Sequence, residues 1–173
     1  MDRGDPTTSC KVLVIGFGNT LRGDDGVGPH VAGIVASWEL PGLRSMVATQ
    51  LTPELAEPVA AAERVVFVDA RLDTGRGTIK VAPVGLSNSQ AMSGHFCDPR
   101  FLLSLARSVY GSDPQAWLIT IPTADFSLRE SLSPLAKRGV EAALARIRAM
   151  LNVDVTVDPR LDEVDAEGLS DRV

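Results

Sequence analysis

At 173 residues, with 45% hydrophobic and 23% charged side chains, the chain has the length and composition of one globular domain with room for a sizeable core. Its net charge of −5 sits entirely at the end: after Val153 seven acidic residues oppose Arg160 and Arg172, giving 2 − 7 = −5 and leaving residues 1–153 neutral. No basic face is implied, so nucleic acid and anionic membranes are not expected as partners, and no apolar stretch approaches the roughly 18 residues of a membrane span.

Residues 1–10, opening Met-Asp-Arg-Gly-Asp-Pro, read as a flexible segment without the charged start and apolar run of a signal peptide. Lys11–Gly16 (KVLVIG) is a short apolar run suited to a buried strand, and Val27, Val31, Ile34 and Val35 then recur at helical spacing. Arg44–Gln50 predicts a weaker second strand. Thr52-Pro53 predicts an N-cap with proline at the first helical position, opening a helix to about Glu63. Arg64–Ala70 (RVVFVDA) is the strongest strand signal, and Gly77–Val84 (GTIKVAPV) predicts another strand only a few residues later. Residues 85–97 are irregular. Asp98-Pro99 repeats the cap-plus-proline signal for a helix to Tyr110, with Gly111 just past its end. Ala116–Ile121 (AWLITI) predicts the last strand, stopped by Pro122. Ser133-Pro134 opens a long amphipathic helix carrying Leu135, Val140, Leu144, Ile147 and Leu151. The folded domain is therefore expected over residues 11–151, and the aperiodic acidic segment 152–173 is expected to be disordered.

Strands and helices alternating at these lengths predict a three-layer α/β/α sandwich with a mostly parallel twisted sheet of about five strands. The turn Leu72–Arg76 is too short for a parallel crossover, which predicts an antiparallel hairpin of the third and fourth strands and an antiparallel edge strand. In such a sheet, sites form at the carboxyl ends of the parallel strands. That edge receives Asn19, Asp24 and Asp25 after the first strand, Gln50 after the second, Asp69 at the end of the third, and Pro122, Thr123 and Asp125 after the fifth. The fourth strand finishes at the far edge, yet the fifth must start there, so the helix from Asp98 must begin at the carboxyl edge. Residues 85–97 span roughly 40 Å when extended, enough to return past a strand of roughly 20–25 Å and to deliver His95 to the same rim.

Two carboxylates, Asp25 and Asp69, and the His95 imidazole suit a divalent transition metal such as nickel, zinc or iron, with positions left open. Asp24-Asp25 also fits a plain helix cap at the positive end of the dipole. Asp69 is harder to explain structurally, because a carboxylate at the end of an apolar strand is costly without a partner. The glycine loop is not a dinucleotide fingerprint: Leu21 stands where the third glycine of GxGxxG belongs, no acid follows the second strand, and two aspartates would repel a pyrophosphate. Cys10 and Cys97 form neither a disulfide framework nor a CxxC zinc pair. Cys97 fits a small buried thiol better than a fourth ligand, and His30 fits a helix-border position. No GxSxG elbow or cysteine with its own base points to a nucleophilic protease.

The loop GFGNTLRGDDGVGPHV, the strand FVDA, SGHF before an Asp-Pro-capped helix and the late stretch IPTADFSLRESLSPLAKRGVEAAL together resemble the nickel–iron hydrogenase maturation proteases, from about Lys11 to Leu151. The resemblance implies a metal-dependent, aspartyl-type endopeptidase that removes the C-terminal extension of a hydrogenase large-subunit precursor after nickel insertion. It implies metal contacts at Asp25, Asp69 and His95, and nickel carried by the substrate with no resident cofactor. Some relatives carry an aspartate just after the second strand, where this chain has Gln50. The expectation is a cytoplasmic monomer in which Asp25 or Asp24 helps activate water. Two other readings stay open: a non-proteolytic nickel-sensing assembly module, and a stand-alone metallohydrolase with its own zinc.

Overall fold

Alternation along the strands sets the layers. In β1 (Cys10–Phe17), Val12 and Val14 join one buried cluster, and Leu13 and Ile15 join the other. In β3 (Ala62–Leu72), Val66 and Val68 separate from Val65 and Phe67 in the same way. Such two-sided burial marks inner strands of a sheet covered on both faces. Helices α1 (Val27–Ala36) and α4 (Pro134–Asn152) cover one face, while α2 (Ala56–Ala60) and α3 (Pro99–Tyr110) cover the other. The computed structural model describes residues 10–73, 77–86 and 98–152.

With β2 (Leu43–Ala48), β4 (Lys80–Pro83) and β5 (Gln115–Thr123), the five strands lie in the order β2-β1-β3-β5-β4, all parallel except β4. The three-layer fold, the strand directions and the antiparallel edge strand agree with expectation. The β3–β4 hairpin does not form. β4 pairs with β5, which takes the place beside β3. Ile119 and Ile121 of β5 are wholly buried and need neighbours on both sides, whereas Lys80, Ala82 and Pro83 of β4 are exposed and suit an edge. β3 meets the end of β5 at Asp73, whose amide donates to Thr123 O at 3.1 Å, and Thr123 Oγ1 donates to Arg71 O at 3.0 Å; residues 73–79 then connect to β4. Two strand spacings, about 10 Å, lie within reach of that segment.

Several boundaries also move. β3 continues past Asp69 to Leu72, and β5 runs through Pro122 to Thr123. Pairing with β4 ends opposite Thr120, so β5 is an edge again at Pro122, where proline is tolerated. Thr52 does not cap a long helix: residues 53–55 form a 3-10 turn, Thr52 makes no side-chain cap bond, and α2 stops at Ala60 because β3 starts at Ala62. The other two cap signals hold. Asp98 Oδ1 accepts from the Phe101 amide at 2.8 Å and Gly111 closes α3 at φ 67°, while Ser133 Oγ accepts from the Ala136 amide at 3.1 Å at the start of α4. Arg64 donates to Met150 O near the end of α4, and the Arg148 guanidinium lies 4.6 Å from the centre of the Trp38 ring beside α1.

The glycines of the first loop press α1 onto the sheet. A Cβ on Gly16 would stand 1.9 Å from Gly28 O, and one on Gly28 would stand 2.4 Å from Phe17 O and 2.6 Å from Val68 O. Backbone meets backbone here, so no flexible side chain can yield. Gly28→Ala should lower stability by at least about 2–3 kcal/mol. Gly33→Ala, whose Cβ meets nothing within 4 Å, should be neutral or stabilising by about 0.5–1 kcal/mol. Thermal denaturation of the two variants checks the contrast.

Candidate active site

Two loops meet at the carboxyl edge of the sheet. The first, after β1, turns back through Gly18 at φ 137°, where a Cβ would stand 2.0 Å from Asp25 O, and ends in a 3-10 turn over Gly23–Gly26. The second, after β5, leads to Ser133. They are joined by main-chain bonds: Gly23 N to Arg129 O at 2.7 Å, Asp24 N to Asp125 O at 2.9 Å, and Arg129 N to Leu21 O at 3.0 Å. Asp24 lies between them with no exposed surface. Its Oδ1 accepts from the Ser133 amide at 2.7 Å. Its Oδ2 accepts from the Ser133 hydroxyl at 2.7 Å and from the amides of Ala124 and Asp125 at 3.0 and 3.2 Å. Burial alone would push this carboxyl up, but the bonds from Ser133, Ala124 and Asp125 outweigh it and hold the group below its ordinary range.

Asp25, next in the chain, is partly exposed and accepts from the Asn19 amide at Oδ2, 2.9 Å away. Asn19 in turn uses its own Oδ1 to accept from the Leu21 amide at 2.9 Å, which fixes the turn that aims its N–H at Asp25. Asp69, paired with Thr120 in the sheet, accepts from the Ala70 amide at 2.8 Å. Burial pushes its carboxyl up to about 6; the Ala70 bond opposes that, and the charge of nearby Asp25 adds to it. A largely desolvated Asp69 carboxyl with the charge of Asp25 nearby forms a site that a cation would relieve.

The edge therefore carries Asp24, Asp25 and Asp69 in different surroundings. Asp24 is withdrawn as the water-activating base: with no surface and every oxygen engaged, it has no access to water. Nor do the two aspartates cap α1, whose N-cap is Gly26 without a side-chain bond. His95 and Cys97 lie outside the described residues. Among the described residues no three metal-ligating side chains are gathered. Asp98, three positions after His95, starts α3, whose other end feeds β5, so the capped end points to the carboxyl edge as expected. His30 is exposed on α1, Cys10 is a buried free thiol, and Gln50 is exposed beyond the end of β2. Asp125 pairs with Arg129 at 3.0 Å, and Thr123 is buried against Arg71 O. The sequence reading missed the bond of Asp24 to Ser133, 109 positions apart; Ser133 had a sufficient local explanation as a helix cap.

Solved structures with this architecture include proteins of hydrogenase maturation. A hydrogenase maturation protease, HycI, from Thermococcus kodakarensis KOD1 is 28% identical, with a TM-score of 0.64 over 85% of this chain and 96% of its own. A hydrogenase 2 maturation peptidase from a Thaumarchaeota archaeon is 25% identical, with a TM-score of 0.63 over 82% of this chain and 98% of its own. The chain shares its fold with nickel–iron hydrogenase maturation proteases. The family's fold also extends to the maturating endopeptidase HybD of E. coli, 20% identical, with a TM-score of 0.66 over 82% of this chain and 92% of its own. No family model matches the sequence, and no curated protein matches it.

The division between the aspartates is testable in stability alone. Asp24→Ala leaves three amides and a hydroxyl without their acceptor and should cost about 3–5 kcal/mol at pH 7. Because its folded carboxyl is held low, the stability Asp24 supplies is present above the ordinary carboxylate range and is lost as pH falls below it. Asp69 has the opposite sign. Raised to about 6, it favours the protonated folded chain, so its cost accumulates from about pH 4 to 6 and is full above. Asp69→Asn should therefore raise the melting temperature above pH 6, with the difference vanishing below about pH 4. Melting curves against pH check both.

Proposed function

We propose that this chain is the endopeptidase that trims the C-terminal extension of a nickel–iron hydrogenase large-subunit precursor, reading nickel carried by that substrate through Asp25, Asp69 and His95. The observation that carries the reading is the half-buried Asp69 carboxyl with Asp25 nearby at the sheet's carboxyl edge, in a fold shared with maturation proteases. Asp25 offers a partly exposed carboxylate whose orientation is fixed by Asn19, so it can meet metal or water without first being ordered. Asp69 supplies a second oxygen ligand from within a strand, where the pairing of β3 with β5 holds its backbone. The placement of Asp98 at the same edge supports His95 as the third.

In this role nickel is part of the substrate, and the protein's contribution is to dock it and orient the scissile peptide beside it. Asp25, the accessible member of the Asp24-Asp25 pair, is the residue assigned to water activation. Assignment of aspartyl-type chemistry rests on that carboxylate, since Ser133, whose hydroxyl donates to Asp24, is buried at the start of α4.

Purified protein incubated with nickel-loaded precursor should shorten it, and should leave nickel-free precursor intact. Asp25→Ala should keep its melting temperature within a few degrees and lose processing by at least about 100-fold. Electrophoresis of the precursor resolves both points, and full trimming by Asp25→Ala would remove that residue from the mechanism.

A further inference from the structure

The loops that enclose Asp24 also present two large apolar side chains to solvent beside the site. Leu21 is 54% exposed and Leu128 is 87% exposed. They are not on mobile arms: Arg129 N donates to Leu21 O, Gly23 N donates to Arg129 O, and Arg22 and Arg129 form a bridge between the two loops. Leu21 and the Leu128–Arg129 peptide are thus neighbours, held by main-chain bonds and by the buried Asp24 carboxylate. A single exposed leucine is ordinary, but two on adjoining, pre-ordered backbone at the rim of a site suit a contact surface.

We propose that Leu21 and Leu128 form a docking patch for the precursor protein itself, contacting an apolar part of its surface next to the metal centre. The inference rests on the proposed function and adds which surface receives the substrate. Its occupant follows from continuity with the site. Leu21 donates its amide to Asn19, and Asn19 donates its amide to Asp25, so the patch begins two hydrogen bonds from the metal-reading carboxylate. A metal held mainly by another protein reaches Asp25 and Asp69 only if that protein's surface covers this rim. Because both loops are already fixed, covering them costs little ordering entropy. The patch therefore contributes to binding the precursor and not to the cutting step.

The test is the double variant Leu21→Ser with Leu128→Ser, whose exposed positions leave the core untouched. With nickel-loaded precursor, KM should rise by at least about tenfold while kcat stays within about twofold. Calorimetry with the precursor, in the Asp25→Ala background so that nothing is cut, should show the same loss of affinity. Unchanged KM and affinity would overturn the patch while leaving the peptidase reading intact. Loss of affinity without any cleavage by the unmutated chain would keep the patch and overturn the peptidase reading. If light scattering shows the unmutated chain to be a dimer that the double variant dissociates, with processing unchanged, the patch belongs to a second copy and the proposal fails.

Discussion

The structure turns on one buried carboxylate. Asp24 has no contact with solvent, yet it stays ionised because Ser133, Ala124 and Asp125 place four donors around it. A carboxylate in that position is prohibitively costly without partners and stabilising with them. It therefore fixes where the loop after β5 can go. That loop is brought down onto the glycine loop, α4 is started from Ser133, and α4 packs with α1 over the face containing Val66, Val68, Ile119 and Ile121. The close contact of Gly16 and Gly28 sets the other side of the same arrangement, by letting α1 begin almost on top of the sheet.

Once the loops are fixed, the adjacent residue can be used for something else. Asp25 stands in the same 3-10 turn but faces outward, with only the Asn19 amide on its described carboxylate oxygens. Asp69 is left under-compensated, half-buried in β3 and near a like charge. Such a group works against stability at neutral pH, and residues of that kind concentrate where chemistry or binding requires them. A structural role and the proposed functional one thus fall on consecutive aspartates. What separates them is exposure and donor count, not residue type.

This division bounds what a sequence reader can obtain. The layers were legible because residues such as Val12/Leu13/Val14/Ile15 state a two-sided strand through composition alone. Asp98 and Ser133 were legible as caps because their partners lie three residues away. The direction of β4 followed from the length of the connection, but its neighbour did not. Both β3 and β5 satisfy the same short link, and the choice depends on which strand has two faces and two edges to bury. Asp24 and Asp25 look interchangeable in a string of letters, since the residue that distinguishes them is Ser133, far along the chain. The glycines could be excluded from nucleotide binding by what was missing, but their positive reason, backbone against backbone, appears only in three dimensions.

The most direct measurement is the carboxyl carbon titration of the individual aspartates by NMR. The account predicts that Asp69 titrates near 6 while Asp24 titrates below the ordinary aspartate range. An Asp69 midpoint near 4 together with an Asp24 midpoint above it would contradict the division of labour between the buried Asp24 clasp and the Asp25 and Asp69 carboxyls.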